Sequence, residues 1–412
     1  MMWLKRYDWV LMSLVLLLSV FGILMIYSAD QIQTAPTGQE AHFQRQLIWL
    51  GLSLAACIIV SSISTRTLEV MSYWFYGIVL LALVMVLTSG KGVERWLQIP
   101  GTKFFIQPSE LAKIATILAL ATYISNRKKR IEGLKDMILP FIIIMLPAGL
   151  ILAQPDLGTA IVYFFIVYLV LYWSGIRLIY LFLLISPIIS LFLALVSLLC
   201  ELRFPLWGFF FILLGILIFY NRIFLMDAVV IMLANLFTGV LTSSLWNSLK
   251  PYQQNRIAVF FQPELDPQGS GWQIIQSKVA IGSGGLLGKG FLQGTQKKLE
   301  FLPAQHTDFI FPLVGEEFGF LGVAVVLALF FFLLYHIIEL ARISISNFSS
   351  LTAFGIAGFL LGHIIVNVGM TVGLMPITGL PLPLFSYGGS FLLTCYIAVG
   401  ILQRIHIERS SL

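Results

Sequence analysis

The sequence predicts an all-α polytopic membrane protein of about twelve spanning helices, with both termini cytoplasmic and one large loop outside. Three observations carry that prediction. Of 412 residues, 59% are hydrophobic and 11% charged, with a mean hydropathy of +0.95, whereas a soluble domain carries roughly 25% charged residues. Apolar runs long enough to cross a bilayer, about 20 residues each, recur from end to end. The basic residues cluster in short loops between those runs, as membrane orientation requires. A soluble enzyme is excluded. The net charge of +6 and pI of 9.2 are explained by membrane orientation, so no nucleic-acid partner is expected.

The first apolar run, about 9–28, follows Lys5 and Arg6. It is long enough to span and longer than a usual signal-peptide core, so it reads as a retained first helix. Further runs lie at about 44–62, 72–89, 109–125, 137–153, 156–174, 177–200, 205–220 and 226–247. A long polar stretch over 248–308 follows, then runs at about 309–335, 351–374 and 386–407. The weakest are 205–220, which is short, and 156–174, which begins three residues after its predecessor. No soluble domain or internal repeat interrupts the pattern, so the chain reads as one membrane domain over 1–412. The cluster Arg127-Lys128-Lys129-Arg130, with Lys135 behind it, is the strongest positive loop and is expected inside. Counting outward from it places 13 of the 25 basic residues inside and the 248–308 loop outside. Cys57, Cys200 and Cys395 are far apart and form neither a disulfide framework nor a metal-ligand spacing.

Four polar segments break the apolar pattern. Irregular backbone at membrane depth survives only where protein buries it or it lines a wet cavity, so these breaks mark the expected site. The first is Arg95-Trp96 with Gln107-Pro108-Ser109-Glu110-Leu111-Ala112-Lys113. Pro108-Ser109 is a helix start that Ser109 can cap. Glu110 and Lys113, three apart, share a face and can pair. This segment reads either as a self-neutralised interfacial helix or as positive charge from Arg95 and Lys113 for an anionic group near a helix N-terminus.

The second segment is Gln154-Pro155-Asp156-Leu157-Gly158-Thr159. Asp156 reads equally as an ordinary N-cap or as a functional carboxylate between spans. The third is the outer loop. It holds Asp266-Pro267-Gln268-Gly269-Ser270-Gly271-Trp272-Gln273, Lys278, a glycine run from Gly282 to Gly290 containing Lys289, and His306-Thr307-Asp308-Phe309, before Glu316-Glu317. Its glycines look phosphate-binding, but the Walker pattern fails, because Ser283 stands five before Gly288 and Gly290 follows Lys289. Six basic against four acidic residues over 248–308 suit an anionic substrate. The fourth is the Pro/Gly passage from Gly373 through Ser386, Tyr387, Gly388 and Gly389 to Ser390, which cannot be regular helix. It reads as a rigid outer turn, or as a groove lined by Ser386, Ser390 and backbone N–H groups. No Ser-His-Asp triad, zinc, flavin or haem pattern is present.

The four segments, in this order, resemble the shape, elongation, division and sporulation family, the RodA/FtsW polymerases. The resemblance rests on Gln-Pro-Ser-Glu-Leu-x-Lys, Gln-Pro-Asp-Leu-Gly-Thr, Asp-Pro-x-Gly-x-Gly-aromatic-Gln, Gly-Ser-Gly-Gly-Leu-x-Gly-Lys-Gly, Leu-Pro-x-x-His-Thr-Asp-Phe and Pro-Leu-Pro-x-x-Ser-Tyr-Gly-Gly-Ser. It covers nearly the whole chain, and the loop wording is closer to RodA than to FtsW. The family has ten spans, so residues 177–247 hold an extra pair here. An insertion of two keeps the outer loop outside, whereas one would have inverted it.

The resemblance implies a peptidoglycan glycosyltransferase in the bacterial inner membrane, with its active site facing the periplasm. It would polymerise lipid II onto a nascent glycan strand for elongation and cell shape. It implies Asp266 as catalytic base, with Arg95, Glu110, Lys113, Lys278, Lys289, His306, Asp308, Ser386 and Ser390 as substrate-binding residues. A divalent cation, Mg or Mn, is the one cofactor expected, with unknown ligands and no organic cofactor. A class B penicillin-binding protein is the expected partner, beside membrane lipid. The alternatives are an FtsW-like division polymerase, a lipid II flippase or a scaffold. Outer-side clustering of the polar segments favours the enzyme.

Overall fold

The computed structural model of the chain describes residues 6–30, 42–88, 95–98, 105–129, 131–154, 156–200, 206–250, 254, 259, 270–294 and 306–410. Each of the twelve expected spans forms a helix. These are α1 (Trp9–Asp30), α2 (His42–Ser61), α3 (Thr65–Thr88), α4 (Pro108–Ser125), α5 (Leu134–Ala153), α6 (Leu157–Trp173), α7 (Leu178–Leu199), α8 (Leu206–Tyr220) and α9 (Leu225–Ser248). After α10 (Ser270–Ser283), an amphipathic helix within the long polar stretch, come α11 (Ile310–Arg342), α12 (Asn347–Thr371) and α13 (Gly389–Arg409). Nine of the twelve are long and apolar enough to cross a membrane on both counts; α4, α6 and α8 are shorter or more polar. A two-residue antiparallel ladder, β1 (Leu97–Gln98) with β2 (Phe105–Ile106), precedes α4.

In water these helices would be buried on their apolar stripe alone; here the apolar residues run all round, and packing decides which helices face lipid. α12 and α13 form the interior, with 83% and 78% of their spanning windows buried, and α4 packs against α3, α12 and α13. The outer helices leave large apolar side chains exposed, among them Trp74, Phe209 and Phe331. The interior concentrates the polar residues instead. Lys113, Thr116, His363, Asn367, Thr394 and Gln403 are all fully buried.

α7, α8 and α9 pack on one another through Leu183, Leu214, Ile218 and Ile231, a small core separate from the main one. Asn235 of α9 donates to the Ser186 hydroxyl at 2.8 Å and accepts from Ser190 at 2.6 Å, so the polar groups inside this annex satisfy each other. Asp227 ties it to the rest of the bundle, accepting from Tyr180 Oη at 3.0 Å and from the Leu134 N–H at 3.4 Å, at the start of α5.

The glycine run after α10 is a backbone clamp. The N–H groups of Lys289 and Gly290 donate to the Glu316 and Glu317 carbonyls at 3.0 Å, and the Phe320 N–H donates to Gly285 at 2.9 Å. α11 breaks where the clamp grips it, at Gly319, with φ 63° and ψ −160°. A Cβ there would stand 2.3 Å from the Gly288 nitrogen. Gly319→Ala is therefore expected to combine backbone strain with overlap, each costing about 1–3 kcal/mol, and to lower the Tm of the purified protein sharply. Gly175→Ala shares the positive φ but meets nothing within 4 Å, so its Tm loss should be much the smaller. Equal losses would refute the clamp.

Candidate functional site

At one end of the bundle the N-termini of α2, α4, α6 and α13 gather around a cavity of about 760 Å³. Its walls come from segments far apart in sequence: Arg45 and Trp49, Arg95 and Gln107, Glu110, Asp156, Thr307 and Asp308, and the passage from Gly379 to Phe391. Each N-terminus adds partial positive charge. Arg45 and Arg95 add full charges, and Ile48, Trp96, Phe105 and Phe391 supply apolar surface. Such a lining suits a ligand with an anionic, polyhydroxyl head on an apolar body.

Local sequence explains how the charges are held. Pro108 opens α4 at its first position, where the missing N–H costs nothing. Gln107 is the cap residue, and the Ser109 hydroxyl, expected to cap the helix, is instead buried without a hydrogen-bond partner among the described residues. Asp156 caps α6, accepting from the Thr159 N–H at 3.1 Å and its hydroxyl at 3.0 Å. It also pairs with Arg95 at 3.3 Å. The two readings of Asp156 are thus one arrangement, in which the cap residue also holds the cavity's arginine.

Beneath the cavity wall lies Lys113, fully buried. Its ammonium donates to Glu110 Oε2 at 2.8 Å and to His363 Nε2 at 2.8 Å, and lies 5.4 Å from the rings of Phe359 and Phe391. His363 Nδ1 faces the Pro381 carbonyl at 3.1 Å. That contact assigns the proton to Nδ1 and leaves Nε2 to accept from the lysine. Asn367 donates to the Asp308 and Leu380 carbonyls at 2.9 and 2.7 Å. The buried polar residues of α12 therefore fix the backbone of the Pro/Gly passage that walls the cavity.

Of the expected site residues, Arg95, Glu110, Asp308 and Ser390 line the cavity. Burial pushes the Asp308 carboxyl up to about 6, within reach of a proton-accepting role near neutral pH. The Ser390 hydroxyl is buried and has no hydrogen-bond partner among the described residues. The Ser386 hydroxyl accepts from the Leu382 N–H at 2.8 Å. His306 stacks on His42 with centroids 4.1 Å apart, and burial and that neighbour push its imidazole down to about 4. Lys278 is exposed on α10 beside Gly373. Lys289 pairs with buried Glu316 at 2.8 Å, away from the residues that line the cavity. Asp266 lies outside the described residues. Arg45 and His363 were not singled out from sequence. An arginine in the first turn of an apolar run and an ionisable residue in mid-span were the signals for them.

A divalent cation needs several converging oxygen ligands. Among the described residues no three His, Cys, Asp or Glu side chains converge. The cavity carboxylates of Glu110 and Asp156 already face Lys113 and Arg95.

Fold and cavity together define a multi-pass membrane protein whose polar site is walled by helix ends and a proline-rich passage. The chain belongs to the FtsW/RodA/SpoVE family of cell cycle proteins, which matches it over residues 8–207 and 187–411. It is 34% identical over 439 residues to the peptidoglycan glycosyltransferase RodA of Treponema pallidum, covering 98% of both chains. It is 35% identical over 410 residues to the probable peptidoglycan glycosyltransferase FtsW of Trichlorobacter lovleyi, covering 98% of this chain and 93% of that one. Among solved structures it matches, with TM-score 0.70 and 31% identity over 98% of both chains, a chain described under "Structural coordination of polymerization and crosslinking by a peptidoglycan synthase complex".

Proposed function

We propose that this protein is a peptidoglycan glycosyltransferase that polymerises lipid II into glycan strands at the outer face of the inner membrane. The observation that carries the reading is the cavity: a charged, aromatic-lined chamber at one end of a membrane bundle, ringed by helix N-termini. The basic loop of Arg127, Lys128 and Lys129 lies at the opposite end of α4, which supports placing the cavity outside.

The reaction joins two lipid-linked sugars. The acceptor 4-hydroxyl oxygen attacks the donor anomeric carbon, the carbon–oxygen bond to pyrophosphate breaks, and the lipid pyrophosphate departs. Asp266 takes the hydroxyl proton, a role supported by its match to the family's Asp-Pro-x-Gly-x-Gly segment. Arg45, Arg95 and the surrounding helix N-termini face the departing negative charge. Much of the acceleration comes from holding both substrates aligned at the membrane surface. The partner is a class B penicillin-binding protein, a reading supported by the synthase complex that contains a similar chain. The RodA-like loop wording supports use in elongation and cell shape over division.

The test is polymerisation of labelled lipid II by the purified protein, with and without its penicillin-binding partner. Glycan ladders are expected. If no ladder forms under any condition while reconstituted vesicles move lipid II between leaflets, the protein is a flippase and the enzyme reading fails.

A further inference from the structure

The end of the bundle opposite the cavity carries a second pocket that glycosyl transfer does not use. Its volume is about 300 Å³, and Arg127, Lys128, Lys129, Trp173, Asn347 and Ser350 line it. No carboxylate is among its lining residues that are described. Arg127 is held in place by Asp136 at 2.5 Å and by the Tyr123 hydroxyl at 3.2 Å. Lys128 and Lys129 are exposed and make no ion pair among the described residues. The opposite wall is rigid: Trp173 Nε1 donates to Ser350 Oγ at 2.8 Å, Ser350 donates to the Ala341 carbonyl at 2.7 Å, and the indole stacks on Phe354 at 4.1 Å. The first turn of the 25-residue α12 borders the same pocket through Asn347 and Ser350.

Depth identifies the ligand. α4 runs 18 residues from the cavity lip to this pocket, about 27 Å at 1.5 Å per residue, close to the ~30 Å hydrocarbon thickness of a bilayer. The pocket therefore sits at headgroup level, with a tryptophan at its edge and the exposed apolar Tyr172 and Leu178 close by in sequence. We propose that it binds the phosphate headgroup of an anionic phospholipid. Assigning that lipid to the cytoplasmic leaflet rests on the orientation given above; the binding itself does not.

The test uses the full chain in neutral detergent, with bound lipid counted by native mass spectrometry after adding phosphatidylglycerol or phosphatidylcholine. Phosphatidylglycerol should be retained in preference to phosphatidylcholine. Lys128→Gln with Lys129→Gln should weaken that retention about tenfold or more, on the scale of surface cations and anionic lipid. The corresponding Lys→Arg pair should keep it, and millimolar inorganic phosphate should not displace the lipid. Unchanged phosphatidylglycerol binding in the glutamine pair would overturn the proposal. So would an equal loss in Arg66→Gln, an exposed cation at the same end but outside the pocket, which would reduce the effect to general surface charge. Complete displacement by phosphate would make it a free-anion site. None of these readings depends on polymerase activity, so failure here leaves the glycosyltransferase reading standing.

Discussion

Asp266→Asn is expected to lower lipid II polymerisation by about 10²- to 10⁴-fold while leaving the protein folded and able to bind its penicillin-binding partner. The exchange is nearly isosteric and replaces a proton-accepting carboxylate with an amide that cannot take the acceptor hydroxyl's proton. Residual turnover should persist, because alignment of the two lipid substrates and the charge facing the leaving group are untouched. Glycan ladders resolved over time, with partner pull-down as the folding control, measure the effect. Undiminished ladders would move the base elsewhere. Asp308 is then the group to replace, since its carboxyl lines the cavity and burial lifts it to about 6.

Lys113→Met should produce the largest loss of stability among substitutions near the site. The methionine fills much of the same space, but Glu110, 4% exposed, loses its cation at 2.8 Å, and His363 loses its donor. Breaking a buried pair by removing one member costs about 3–5 kcal/mol, because the remaining charge stays desolvated. Adding Glu110→Gln removes that stranded charge, so the double variant should recover most of the lost Tm. Polymerisation should stay low in the double variant, because the Lys113–His363–Pro381 chain that positions the cavity wall is gone. Full recovery of activity with Tm would reduce Lys113 to a packing role. No recovery of Tm would show that its contacts with Phe359 and Phe391 matter more than the ion pair.

Much of this protein is legible in its sequence because a bilayer imposes blunt rules. Backbone in hydrocarbon must satisfy its own hydrogen bonds, so apolar runs of sufficient length become helices, and all twelve did. The polar breaks at 107–113, 154–159 and 373–390 were visible for the same reason, and they do converge on one cavity. Other features depend on geometry that spacing does not encode. The run from Gly282 to Gly290 has the composition of a phosphate loop, yet part of it is spent on close backbone contact with the broken α11, and Lys289 goes with it to Glu316. Lys113, expected at the membrane interface to pair with Glu110 or to face an anionic group, does pair with Glu110 but is fully buried against α12. Ser109 looked like a cap and does not act as one.

By itself, the sequence determined the class, the twelve apolar spans, the positions of the breaks and the Glu110–Lys113 pair, all of which are local consequences of hydropathy and helical periodicity. Only the tertiary structure decided which charges share a cavity. Arg45 and Arg95 stand fifty residues apart in the chain, and Asp308 and Ser390 lie more than two hundred residues beyond Arg95. It also decided that His363, an isolated ionisable residue in mid-span, receives the lysine's hydrogen bond. Those pairings follow from which helix ends meet. That is settled by the packing of α4, α12 and α13 against one another, through contacts whose partners no single segment can specify.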